Sequence, residues 1–269
     1  MMLIENKVKK TLKAGGTVIG CQVAEVRSPN IALLYGTAGF DFIFIDMEHG
    51  GFDLETVGDF ITASKAANIV PVVRVPALEE HFLSRPLDLG ACGLMVPHIH
   101  SKEQVRKVIE CTKFQPEGNR GLAPLRAHTN FSKGNVPEFL KEANENTMIV
   151  IMVEDDEAIN SIDDLLSIEG VDVTFMGTAD LSQNLGIPGQ VRHPEILKRI
   201  DRVIAACEKK GVAFGMPISN PDWYQKGIRF LFASSDIDLI VTGGSQVVTS
   251  FKQVISTTTT RVCDINVGK

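Results

Sequence analysis

The chain has 269 residues, a formal charge of −6, 44% hydrophobic and 22% charged residues, a composition that can bury a substantial core. It has no block of Lys and Arg interleaved with aromatics, which argues against a nucleic-acid surface, and no apolar run near the ~18 residues of a membrane span. The five cysteines (Cys21, Cys92, Cys111, Cys207 and Cys263) are scattered, odd in number and without C-x-x-C spacing, which suits reduced core thiols of a cytoplasmic protein.

Met1–Lys7 reads as a helix start and not a signal peptide, since no long apolar segment follows its charges. The first helix runs to about Lys13, Gly15-Gly16 ends it, and Thr17–Val23 is the first strand. Ser28-Pro29 opens a helix, serine as cap and proline in the first turn, with Ile31, Leu33, Leu34 and Ala38 on its inward face. Phe40–Asp46 follows, a run of large apolar and β-branched residues that stops in Met47-Glu48-His49-Gly50-Gly51. An apolar strand ending in titratable groups and flexible backbone is the rim of an α/β site.

Asp53 caps the next helix, where Val57, Phe60, Ile61 and Ser64 recur at helical spacing. Ile69–Val75 is the third strand, and a helix near Glu79–Leu89 leads to the fourth, Gly93–Pro97. Ser101-Lys-Glu-Gln104 is a capping box. The stretch 114–137, rich in Gly, Pro, Arg and Asn, reads as a long functional loop. Met148–Val153 is the fifth strand, a helix spans about Asp156–Ser167, and Val171–Met176 is the sixth strand. An amphipathic helix covers His193–Lys210. Val212–Met216 and Arg229–Ala233 complete eight strands, and a last helix lies near Ile237–Gln253. The run Thr257–Thr260 suits either a frayed end or a contact with a neighbouring subunit.

Eight short apolar strands alternating with helices, and no mid-chain linker, predict one (β/α)8 TIM barrel over residues 1–269. An open doubly wound sheet is the second choice, weakened by the absence of a G-x-G-x-x-G fingerprint and a P-loop.

A barrel of this kind builds its site at the C-terminal strand ends. Here these carry His49, Arg74, Glu154 and Asp180. Glu154 and Asp180, hard oxygen donors without a nearby thiolate, suit Mg2+, Mn2+ or a similar ion such as Co2+. Each also reads as a helix-start carboxylate, though two such groups on one rim repel without a cation. Arg74, ending an apolar strand, needs an anion, either a substrate oxygen or Asp46 or Glu48 on the next strand. His49, flanked by glycine, suits an accessible base. His98 and His100 alternate, so both cannot be ligands; at most one lines the site, and packing or surface roles are expected. Gly177-Thr-Ala-Asp180 offers free backbone N–H groups to a carboxylate. Such a set suits aldol chemistry through a metal-stabilised enolate, and no lysine stands at a strand end for imine chemistry.

The segments Phe42–Gly50, Pro71–Pro76, Leu87–Pro97, Gly118–Gly121, Val153-Glu154 and Gly170–Ser182, in this order, resemble the HpcH/HpaI aldolases, a family of metal-dependent (class II) pyruvate aldolases. The resemblance implies a barrel that exchanges its C-terminal helix between subunits and assembles as a homo-oligomer, trimer or hexamer. It implies that Glu154 and Asp180 bind the metal, Arg74 contacts the oxo acid, and the Ala179 and Asp180 amides beside Gly177 hold the substrate carboxylate. His49 would be the base, Asp88 the aspartate that orients it, and Asp46 and Glu48 the groups behind these. The implied reaction forms or cleaves a 4-hydroxy-2-oxo acid from a small 2-oxo acid and an aldehyde through a pyruvate enolate. An acyl-CoA lyase of the citryl/malyl-CoA type and a non-catalytic 2-oxo-acid-binding barrel are the alternatives. Met152, Thr178 and Gln22 stand where relatives carry Gln, Pro and Trp, which leaves the metal residues intact. The difference then falls on the aldehyde side, including Arg126 and His128 of the long loop.

Overall fold

In the computed structural model, strands β1 (Val18–Val23), β2 (Phe42–Asp46), β3 (Val70–Arg74), β4 (Gly93–Val96), β5 (Met148–Val153), β6 (Val173–Met176), β7 (Ala213–Pro217) and β8 (Phe230–Ser235) pair in chain order. All pairs are parallel, and β8 returns to β1 to close the barrel. Helix α1 (Lys7–Lys13) precedes β1; between the strands run α2 (Ile31–Ala38), α3 (Leu54–Ala67), α4 (Glu80–Asp88), α5 (Lys102–Thr112), α6 (Val136–Asn146), α7 (Asp156–Asn160), α8 (Ile162–Leu165), α9 (Thr178–Asn184) and α10 (Pro194–Lys210), and α11 (Asp236–Asn266) follows. The structure describes residues 5–132, 134–218 and 221–266, without the side chains of 221, 222, 224 and 257–266. The side chains of Thr257–Thr260 and Cys263 thus lie outside the described residues. Among those described, no helix is long and apolar enough to cross a membrane.

Alternation along the strands makes two cores. Phe42, Phe44, Val70, Val72, Met148, Val150, Met152, Val173 and Phe175 fill the barrel, closed at its base by Val8 and Leu12 of α1. Their neighbours Ile43, Ile45, Val73, Ile149 and Ile151 face outward onto Phe60, Ile61, Val105 and Ile200 of the helices. The Phe42 and Phe230 rings stack at 4.3 Å inside the barrel. Gly20 makes room for them, since a Cβ there would lie 2.1 Å from the Phe42 ring. The same period of two carries the site. The next inward position after Phe44 is Asp46, after Val72 it is Arg74, and after Met152 it is Glu154.

The caps expected at Asp53 and Ser101 are present, and the second is a full capping box with Gln104. Three elements differ from the sequence pattern. The helix expected over Asp156–Ser167 is two short helices meeting at Ser161. Helix α6 begins inside the stretch read as loop, held by one narrow stripe, Phe139 and Ala143, against Phe114. That stripe is too short to register as periodicity. Helix α11 extends well past Gln253, to 31 residues. It is fastened at its start, where the buried Asp236 carboxylate accepts the N–H groups of Ala24, Glu25 and Val26. Its main contacts are with β1 and β8, and Ile240, Val241, Val247, Val248 and Phe251 remain more than half exposed.

Candidate active site

Asp46 is the pivot of the rim. Fully buried, it accepts Nε and one terminal nitrogen of Arg74 at 2.9 and 2.6 Å, the Gln22 amide at 2.6 Å, and the N–H groups of Glu48 and His49. Burial works to raise its carboxyl, but Arg74 and these N–H groups outweigh it and hold Asp46 below the usual carboxylate range. Arg74 lies over the Phe44 ring at 5.2 Å, and its other terminal nitrogen is 3.2 Å from Glu48. Burial disfavours its charge, yet Asp46, Glu48 and Glu154 together raise it above the ordinary arginine value. The sequence left open whether Arg74 faces a ligand or Asp46 and Glu48. The structure ties it to both carboxylates.

Glu154 stands just beyond the end of β5, 5% exposed. Gly177 packs against it, and a Cβ at that position would lie 2.9 Å from the Glu154 Cγ. Burial pushes its carboxyl up to about 7; the nearby His98 opposes this, while the charges of Glu48 and Asp180 add to it. Its Oε1 is buried with no hydrogen-bond partner. Asp180 and Ala179 are exposed in the first turn of α9, next to Gly177. Asp46, Glu48, Glu154 and Asp180 thus share a rim with Arg74, an excess of negative charge around an orphaned oxygen. A divalent cation on Glu154 and Asp180 fits that imbalance. Among the described residues no three His, Cys, Asp or Glu already close around one point, so water and substrate would complete the set.

His49 lies on the loop after β2, its side chain 67% exposed and 3.9 Å from Glu48. Asp88, the last residue of α4, lies elsewhere. Its carboxylate accepts Arg120 at 2.6 Å, its carbonyl faces His128 Nδ1 at 3.1 Å, and no hydrogen bond or ion pair with His49 is present among the described residues. A cavity of about 720 Å³ lies at the opposite end of the barrel, between α1 and α6, so the titratable cluster and not this cavity marks the site.

At most one of His98 and His100 was expected to line the site, with surface or packing roles the first expectation; the structure brings His98 there. β4 ends at Val96, and His98 takes a left-handed backbone (φ +55°), so strand alternation no longer sets its direction. Its Nε2 lies 3.0 Å from Glu48 and its Nδ1 3.6 Å from Glu154. His100 instead pairs with Asp155 at 2.9 Å. The only signal for His98 in the sequence is its place two residues past a strand end.

Residues 24–241 match the family model described as HpcH/HpaI aldolase/citrate lyase. The chain is 31% identical to a hydroxypyruvate/pyruvate aldolase of Roseobacter denitrificans, over 92% of this chain and 98% of that one. It is 32% identical to a 5-keto-4-deoxy-D-glucarate aldolase of Escherichia fergusonii, over 92% and 97%. The crystal structure of an HpcH/HpaI aldolase from Desulfitobacterium hafniense superposes with a TM-score of 0.87 at 30% identity, over 94% and 97%. With this fold and this coverage, the chain belongs to the HpcH/HpaI aldolase/citrate lyase family of carbon–carbon lyases.

Proposed function

We propose that this lyase forms or cleaves 4-hydroxy-2-oxo acids through a pyruvate enolate, with a divalent cation held by Glu154 and Asp180. The observation that carries the reading is the buried Glu154 carboxylate, driven toward neutrality beside two further carboxylates and a pre-oriented arginine. When bound, the cation (Mg2+, Mn2+ or Co2+) supplies Lewis-acid polarisation of the 2-oxo group. Arg74, pinned by Asp46 through two nitrogens and by the Phe44 ring, offers its remaining N–H groups to the developing oxyanion. Because it is already fixed, little reorganisation is needed during the reaction. The N–H groups of Ala179 and Asp180 suit the substrate carboxylate, whereas that of Gly177, expected beside them, donates to the Val153 carbonyl at 3.3 Å. His49, accessible and beside Glu48, moves the proton at the aldol hydroxyl. Pyruvate incubated with the protein and Mg2+ or Mn2+ in deuterated water exchanges its methyl protons. Absence of exchange with every divalent metal rejects the reading, and tight pyruvate binding without exchange favours a non-catalytic 2-oxo-acid-binding barrel.

The same proposal includes assembly. The exposed apolar side of α11 and its scant contact with its own barrel support a helix exchanged with a second copy, in a trimer or hexamer. Among the described residues Asp88 makes no hydrogen bond or ion pair with the His49 of its own chain, so an orienting role calls for the His49 of a neighbouring subunit.

A further inference from the structure

His98 stands between two carboxylates in a way that packing alone does not explain. Its Nε2 is 3.0 Å from Glu48 Oε1, an ion-pair distance to an acceptor, so the hydrogen of a neutral ring belongs on that nitrogen. Its Nδ1 then turns a lone pair toward Glu154 Oε2 at 3.6 Å, too far for a hydrogen bond and repulsive unless a cation or a second proton lies between. The separation has the size of a coordination angle. Two bonds of about 2.1 Å opened to the tetrahedral angle set their donors about 3.4 Å apart. At a right angle the same bonds give about 3.0 Å. The arrangement of the ring resembles that of a metal-binding histidine, one nitrogen against a carboxylate and the other without a hydrogen bond.

The surrounding backbone fixes the ring there. His98 holds its left-handed conformation at the start of the α5 capping box, where the Gln104 side chain accepts the N–H groups of His100 and Ser101 at 2.7 and 3.0 Å. Both the main-chain N–H and the ring of His98 act to lower the Glu154 carboxyl, so the two parts of this residue face one group. The imidazole is 59% exposed, which leaves the gap open to solvent.

We propose that His98 is a nitrogen ligand of the divalent cation, binding through Nδ1 beside Glu154 with Glu48 behind it. This rests on the reading that Glu154 holds a cation, and it adds a borderline-soft donor to an otherwise all-oxygen set. Such a donor moves preference away from Mg2+ and toward Co2+, Ni2+ and Zn2+.

The test uses the full chain with MnCl2 and no substrate, read by electron spin-echo envelope modulation. Wild type shows 14N modulation from a coordinated imidazole. His98→Gly, whose glycine relaxes at the left-handed position, loses it, and so does His98→Gln; His49→Asn keeps it. In equilibrium competition, His98→Gly weakens Co2+ binding by about tenfold to a hundredfold, at least what loss of an orienting partner costs, and changes Mg2+ binding little. Mn2+ bound without nitrogen modulation, modulation that survives in His98→Gly, or unchanged Co2+ affinity each overturns the assignment. In those cases the Glu154 and Asp180 site stands, as loss of Mn2+ binding in Glu154→Gln shows. A wild-type chain that binds no cation rejects both.

Discussion

A guanidinium at the end of an apolar strand is costly to bury, and Arg74 recovers that cost through two carboxylates and an aromatic face. A lysine cannot span both oxygens of Asp46 while facing Glu48. Arg74→Lys therefore lowers kcat/KM by at least about 100-fold, as loss of an oxyanion donor does, measured by steady-state pyruvate exchange. Asp46→Ala strands the buried guanidinium and destabilises the fold by about 3 kcal/mol or more, read from urea unfolding. Arg74 and Glu154 were legible in the sequence because an ionisable residue in or just after an apolar strand draws notice. His98 was not. It lies beyond the strand, and nothing in Pro97-His98-Ile99 announces a left-handed turn.

Among the elements, α1 and α6 meet at the barrel base around two buried lysines. Lys9 donates to the Thr147 carbonyl at 2.7 Å and pairs with Asp172, while Lys113 donates to the same carbonyl and to that of Asn144. Burial, and next the charge of Lys9, push Lys113 down to about 7, against the pull of Asp172 and Glu117. Between about 7 and the ordinary lysine range the unfolded chain holds a proton that the folded chain does not. Stability therefore rises with pH across that window, by at most roughly 5 kcal/mol, and Lys113→Met removes the rise. Urea unfolding of both proteins at pH 7 and pH 10 measures the difference. Helix α11 tests the other end. If it is exchanged between copies, Val247→Asp with Phe251→Asp yields a monomer in sedimentation equilibrium; if it stands free, the mass is unchanged. The stretch Ile237–Gln253 was legible as helix, but its continuation to Asn266 was not.

Across the whole molecule, the order of strands and the identity of the barrel could be read from eight apolar runs, since a parallel closed sheet needs little besides length and alternation. What could not be read was how the interior interlocks. Gly20 yields its volume to Phe42, and Gly20→Val destabilises by about 1–3 kcal/mol or prevents folding, seen as a lower urea midpoint. Asp88 shows a second limit, because the proposed partnership with the His49 of another copy would leave no geometry within one chain.

The period of two that places Phe44, Val72 and Met152 inside also sets a reading frame for the chemistry. Deleting one residue of β5 turns Glu154 out among the helices and brings the shorter Asp155 to its place, a change no rotamer can repair. Insertions in the stretch 114–135, outside any strand, leave that frame untouched. Tolerance to length change along this chain is therefore sharply divided, with new specificities free to arise in the loops while the strands keep count.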